Sequence, residues 1–307
     1  MNVAKEANQP QVFNSISALH AALGLPKPLH PLVSLVDYGT ITADTSELSK
    51  GMILNFYKVS YKKSFKGKIR YGQQYYDFDE GGLSFISPNQ VISAGEGEAD
   101  YGGYTLLFHP DFIRNHPLGK NIAKYGFFSY AVAEALYLSE KEKEIIIGVF
   151  KNIELELSSA IDHFSQDVML SHIDVLLSYS KRFYNRQFIT RKMASNDLLS
   201  RFETLLSDYF ENEKTLVTGL PSVQHFSEQL NVSPRYLSDM LRALTGQNTQ
   251  QHIHARLIEK AKLFLSTSTL SVAEIAYKLG FEHPQSFNKV FKQKTKVSPV
   301  EFRQSFQ

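Results

Sequence analysis

The sequence predicts a multidomain protein. An α+β N-terminal barrel with helices following it precedes an all-α C-terminal domain of two helix-turn-helix units joined by a linker helix. Three observations predict this. One pattern of caps, turns and apolar positions occurs twice after residue 220. Short runs rich in β-branched and aromatic residues crowd residues 32–108, and two long amphipathic stretches follow between 139 and 188.

Taken in order, residues 1–31 read as an irregular segment. They end in Pro26-Lys27-Pro28-Leu29-His30-Pro31, which neither a helix interior nor a central strand tolerates. Leu32–Val36, Met52–Tyr61, Ile69–Tyr76, Leu83–Ile86 and Tyr104–Phe108 are the strand candidates. Asp77-Phe78-Asp79-Glu80-Gly81-Gly82 and Gly95-Glu96-Gly97 lie between them as loops. Short strands at this spacing suggest a small barrel or jelly roll. Ser139-Glu140-Lys141-Glu142 is then a capping box opening a helix that carries Ile146, Val149, Phe150, Ile153 and Leu157. Residues 166–188 form a second helix, with Met169, Ile173, Leu176, Leu177, Ser180 and Tyr184 near one face. An intramolecular helix pair explains these stripes as well as a dimer does. Polar, basic Asn185–Lys192 and Ala194-Ser195-Asn196 suggest a linker, placed at 191–200 between a domain over 32–190 and one over 201–307.

The duplication is the sharpest signal. Val223, Phe226 and Leu230 recur as Val272, Ile275 and Leu279 at an offset of 49. After a one-residue slip, Pro234/Pro284, Leu237/Phe287, Met240/Val290, Leu241/Phe291 and Thr245/Thr295 align at an offset of 50. Each copy reads as a short amphipathic helix, a tight turn and a second helix, the grammar of a helix-turn-helix. Ser233-Pro234 is an N-cap with proline at the first helical position, and Asn231 in the turn before it tolerates left-handed backbone. Ser271 with Glu274, and Ser298 with Glu301, make capping boxes, and Gly280 supplies the second turn. Between the units, Ile253, Leu257, Ala261 and Phe264/Leu265 stripe one face of a linker helix over 249–265.

Charge agrees with a nucleic-acid partner only in its distribution. Residues 220–307 hold 11 basic and 6 acidic side chains, leaving 22 basic and 25 acidic before them. A basic module on an acidic body suits phosphate neutralisation. The sequence has no apolar run long enough to span a membrane, and Met1–Pro10 lacks a secretory hydrophobic stretch. It has no cysteine, so a cytoplasmic location is the expectation.

Residues 222–305 resemble the AraC/XylS group of bacterial transcription regulators. The resemblance rests on Ile275-Ala276-Tyr277-Lys278-Leu279-Gly280-Phe281, on Ser286-Phe287-Asn288-Lys289-Val290-Phe291-Lys292, and on Arg256-Leu257 followed by Ala261-Lys262 and Leu265. Lys296 departs from it, since many relatives carry glycine there, as Gly246 does in the first unit. The resemblance implies a cupin-like N-terminal domain for regulation and dimerisation, with Gly82–Pro88 as one of its strands. It also implies a partner list: double-stranded promoter DNA, a second copy of the chain, RNA polymerase where the regulator activates, and a small-molecule effector. No cofactor and no catalytic site are expected.

If the second helix of each unit enters the major groove, its early exposed positions face base edges. In the first unit these are Arg235, Ser238 and Asp239: Arg235 suits guanine O6 and N7, Asp239 suits cytosine N4. Arg242 suits a phosphate, and Tyr236 either backbone contact or packing. In the second unit the matching positions are Pro284, Gln285, Asn288 and Lys289, with His283 just before. Gln285 and Asn288 have the amide geometry for adenine, and Pro284 offers only apolar contact.

Other classes compete. A metal enzyme on the barrel needs clustered histidines with a carboxylate, whereas His20, His30, His109, His116, His163 and His172 are scattered. His252 and His254 sit on the linker helix, where side chains two apart diverge. An alkyl-transfer repair protein needs an acceptor cysteine that the sequence lacks. A regulator that senses nothing, its barrel serving only assembly, stays open beside an effector-binding one. In the latter, Tyr57, Tyr71, Tyr75, Tyr76, Phe78 and Phe85 would line an apolar pocket, although aromatic residues at strand spacing are more often plain core.

Overall fold

A computed structural model describes residues 10–41, 43, 51–63, 69–71, 74–76, 82–92, 102–130, 134–190, 192–212 and 214–306. The chain divides into two compact units, Met1–Gln187 and Phe188–Gln307.

The first unit opens with β1 (Gln11–Phe13), α1 (Ile16–Ala22) and β2 (Val33–Asp37). It continues through β3 (Met52–Leu54), β4 (Tyr57–Lys62), β5 (Ile69–Tyr71), β6 (Gln74–Tyr76), β7 (Gly82–Ile86), β8 (Gln90–Ile92) and β9 (Gly103–Phe108). Short helices α2 (Pro110–Ile113) and α3 (Pro117–Asn121) lead to β10 (Leu136–Tyr137), α4 (Glu140–Ser158) and α5 (Ser165–Thr190). An antiparallel five-stranded sheet has the order β10-β7-β4-β9-β2. A smaller sheet runs β1-β3-β8, with β1 parallel to β3, and β5 pairs with β6.

Strand alternation decides what each face of the large sheet covers. Tyr61 of β4 and Tyr104 of β9 meet Phe150 of α4, and Phe85 of β7 packs with Phe127, Phe128 and Tyr184. On the opposite face Val36 and Leu107 join Phe13, Ile16, Leu19, Leu54 and Phe56 in one core. Buried hydroxyls on that face satisfy one another: Tyr38 donates to Ser60 Oγ at 2.9 Å, which lies 3.0 Å from Thr105 Oγ1.

Helices α4 and α5 follow their stripes. Ser139 and Glu142 form the capping box, and Ile146, Val149, Phe150 and Ile153 are buried. Met169, Ile173, Leu176, Leu177, Ser180 and Tyr184 are all buried along α5. Arg186 of α5 donates through Nε to Glu142 at 3.0 Å and through Nη2 to the Tyr137 carbonyl at 2.8 Å.

Several expectations need correcting. Residues 10–31 are not an irregular segment: Ile16, Leu19 and Leu23 recur at helical spacing behind a Ser15 N-cap and bury α1 in the core. Pro26, Pro28 and Pro31 lie beyond the end of α1 and break only the stretch between it and β2. Met52–Tyr61 is two strands, broken at Asn55-Phe56, which feed different sheets. The linker expected at 191–200 is helical over 192–200, within α6 (Lys192–Glu211). Residues 165–211 contain no glycine or proline to stop a helix, and the described residues of the stretch read as linker lie in α5 and α6 instead. Of the pocket aromatics, Phe85 is core and Tyr57 stacks on Phe108 with centroids 5.0 Å apart. The side chains of Tyr71, Tyr75 and Tyr76, all of Phe78, and the loop readings at 77–81 and 95–97 lie outside the described residues.

Candidate nucleic-acid interface

The second unit continues from α6 into α7 (Thr215–Thr218), α8 (Val223–Leu230), α9 (Pro234–Thr245) and α10 (Thr249–Thr267). It ends with α11 (Val272–Lys278), α12 (Pro284–Thr295) and α13 (Pro299–Gln304). Helix α10 touches α6 and α9 at one end and α11 and α13 at the other, so one rod sets the spacing of both repeats. Ile253, Leu257, Ala261 and Leu265 are its buried stripe. Phe202 of α6 meets Phe226 of α8 edge-on, while Phe287 and Phe291 of α12 pack with Phe281 and Phe302.

The repeat is built bond for bond. In the first turn, Asn231 N–H donates to the Glu228 carbonyl and Val232 N–H to that of Ser227. In the second, Gly280 donates to Tyr277 and Phe281 to Ala276, the same pair shifted by 49. Asn231 and Gly280 occupy the left-handed region at φ 56° and 89°. Such residues reverse a chain just past a helix end. The extra residue of the second turn, Glu282, accounts for the slip to 50. Helices α9 and α12 then end alike. Thr245 and Thr295 hydroxyls donate to the carbonyls of Leu241 and Phe291 and accept from the amides of Gln247 and Val297.

The two second helices carry different surfaces. On α9, Leu237, Met240 and Leu241 face the core. Arg235 and Arg242 are exposed, and Asp239 lies between them with its side chain only 18% exposed. Arg235 Nε donates to Asp239 Oδ2 at 3.0 Å, and Arg242 Nη1 donates to Oδ1 at 3.1 Å. Ser238 lies 3.0 Å from the buried Thr249 hydroxyl, so it turns partly into the domain, and Tyr236 is half-buried. On α12, Phe287 and Phe291 are buried, His283, Gln285, Asn288 and Lys289 are exposed, and Pro284 is half-buried. Lys292, which the sequence reading left out, is exposed one turn on from Lys289, and the i+3 spacing is the signal that would have found it; Lys296, just past the helix end, is exposed as well.

Three histidines of the first unit have structural partners. His109 and His116 cap α2 and α3 through ring nitrogens, and His20 bonds the Pro26 carbonyl and Ser34 Oγ. No group of three or more metal-ligating side chains occurs among the described residues. No helix among them is long and apolar enough to cross a membrane.

Residues 226–305 match the family model described as a helix-turn-helix domain. The HTH-type transcriptional activator RhaR of Cronobacter sakazakii is 33% identical over 84 residues, 27% of this chain and 30% of that protein. An uncharacterized HTH-type transcriptional regulator, YfiF of Bacillus subtilis, is 31% identical over 143 residues, 47% of this chain and 42% of that one. The chain thus spans less than half the length of these curated relatives. The crystal structure of the C-terminal domain of the two-component response regulator yesN from Fusobacterium nucleatum is 32% identical, covering 33% of this chain and 96% of that one with a TM-score of 0.30. Two capped repeats on a shared linker helix and these curated sequence relatives make residues 226–305 a helix-turn-helix DNA-binding domain of the AraC/XylS type.

Proposed function

We propose that the chain is a cytoplasmic, sequence-specific transcription regulator whose helices α9 and α12 read adjacent major-groove segments of promoter DNA. The observation that carries this is the pairing of two repeats with equivalent turns on one rod, α10, each presenting an exposed polar face on its second helix. Arg235 is assigned to guanine, Gln285 and Asn288 to adenine, and Arg242 and Lys289 to phosphates. Footprinting on a selected site should protect two segments about one helical turn apart. Protection of a single half-turn would reject the use of both repeats. Arg235→Ala should cost about 1–3 kcal/mol of specific binding and relax one base position. Unchanged affinity and base preference would remove Arg235 from the readout.

In the same reading the N-terminal unit is a cupin-like domain for assembly and sensing. Support for assembly comes from α5, whose residues Val168 and Val175 are 39% and 42% exposed, with Phe164 just before the helix 60% exposed. A second copy covering this face would form a homodimer. Selection of DNA by the full chain should then enrich a spaced pair of sites; a lone site with a monomeric mass in solution would reject the dimer. An effector read by this unit would shift DNA affinity, oligomeric state or melting temperature on titration. Absence of all three would leave assembly as its role.

A further inference from the structure

From the geometry of α9 we infer that Asp239 is a positioning residue, which holds Arg235 and Arg242 for DNA rather than reading a base itself. The inference rests on the DNA-binding function proposed above and deepens it. Residues 235, 239 and 242 stand one turn apart on one side of the helix, and each Asp239 oxygen takes one guanidinium. Each oxygen of this carboxylate already accepts a charged donor and its side chain is only 18% exposed, so it is held toward the arginines and poorly placed to accept from cytosine N4.

The mode of attachment matters for Arg235. Its bond to Asp239 uses Nε, which leaves the terminal Nη pair for guanine O6 and N7, the bidentate match that arginine makes best. The side chain of Arg235 is 43% exposed. An unheld arginine would lose several rotamers on binding, and a held one has lost part of that freedom already. Stability is not the purpose of the arrangement, since exposed ion pairs contribute little to it. Asp239 also places a negative charge at the interface. That charge weakens binding to arbitrary phosphates and so favours discrimination over raw affinity.

The test is selection of double-stranded DNA from a random library by the full-length chain at physiological salt. Wild type, Asp239→Ala, Asp239→Asn, Arg235→Ala and the Asp239→Ala/Arg235→Ala pair are compared, and the selected site is then titrated with salt. Thermal melting is measured for each variant, and the isosteric Asn variant substitutes for Ala if Ala unfolds. Asp239→Ala should lose about tenfold discrimination at the guanine position that Arg235→Ala also loses, and the double variant should be no worse than Arg235→Ala. Binding of the single variant Asp239→Ala to non-specific DNA should strengthen and its salt dependence steepen, since two arginines become free for phosphates.

Relaxation at a separate cytosine position, with guanine preference retained, would overturn the inference and make Asp239 a direct reader. Unchanged discrimination at every position would overturn it too and leave the cluster as a surface ion pair. Enrichment of no site by wild type, in contrast, would reject the DNA-reading function itself and this inference with it.

Discussion

The two helix-turn-helix repeats place the same backbone in space with different side chains, and the differences separate what the motif requires from what each copy adds. Both reverse the chain through a left-handed residue after the first helix, with matching hydrogen bonds. The first copy uses Asn231 there and the second uses Gly280. Asn231 is exposed, whereas Gly280 abuts the backbone at the end of α7: a Cβ on it would lie 2.7 Å from the Gly219 carbonyl carbon and 2.9 Å from Leu220 N. Asparagine therefore suffices in the first turn, and only glycine fits the second.

This difference gives the largest expected effect. Gly280→Ala combines a left-handed alanine, about 1–2 kcal/mol, with a backbone clash of similar size, so it should cost about 2–4 kcal/mol. Asn231→Gly should change stability by less than about 0.5 kcal/mol, because asparagine already tolerates the conformation. Urea unfolding of the full chain, monitored by loss of helix, measures both. Equal effects at the two positions would show that the close approach of Gly219 to Gly280 does not constrain the second turn.

The repeats also differ where their second helices begin. Ser233 accepts the Tyr236 amide at 3.2 Å and caps α9, whereas His283 makes no such bond ahead of α12, although proline comes next in both. Ser233→Ala should cost about 1 kcal/mol. His283→Ala should leave stability nearly unchanged, and His283→Ser should gain part of what Ser233 contributes. A destabilising His283→Ala would reveal a structural role for that exposed ring and weaken its place among the DNA-facing residues.

Legibility in the sequence tracks the strength of local signals. The caps at Ser233, Ser271 and Ser298, the Asn231 and Gly280 turns and the stripe on α10 were readable, because each needs only residues within one or two helical turns. Strands β2, β4, β7 and β9 were readable from their side chains. Strands β1, β8 and β10 were not, because two or three residues carry no periodicity and exist through their partners. Polar residues near 185–196 misled because helical and linker segments share a polar composition; the lack of any glycine or proline there was the better guide. At the interface the residue types on α9 were legible. The bonding of Asp239 to both arginines was not, because one spacing serves an ion pair and a row of independent readers alike.

The smallest expected effect concerns how the second helices end. Gly246 and Lys296 sit at equivalent positions with φ 77° and 71° and ψ of −5° in both. Their amides donate to the carbonyls of Arg242 and Lys292 at 3.0 and 2.9 Å. The missing glycine thus leaves the backbone of the second repeat unchanged, and its effect appears as strain. A left-handed lysine costs about 1–2 kcal/mol, and the freedom that glycine adds to the unfolded chain returns about 0.4–1 kcal/mol of that cost. Lys296→Gly should therefore stabilise the chain by about 0.5–1 kcal/mol, and Gly246→Ala should destabilise it by a similar amount. The side-chain bond from Lys296 Nζ to the Gln293 carbonyl, 3.3 Å long and exposed, is too weak to reverse the sign. Lys296 also adds an exposed positive charge at the end of α12, so the more stable variant should bind DNA less tightly and with a salt slope shallower by about one counterion. Stabilisation with undiminished DNA affinity would take Lys296 out of the interface. Loss of both stability and affinity would mean that the lysine makes a contact in the folded chain that outweighs its strain.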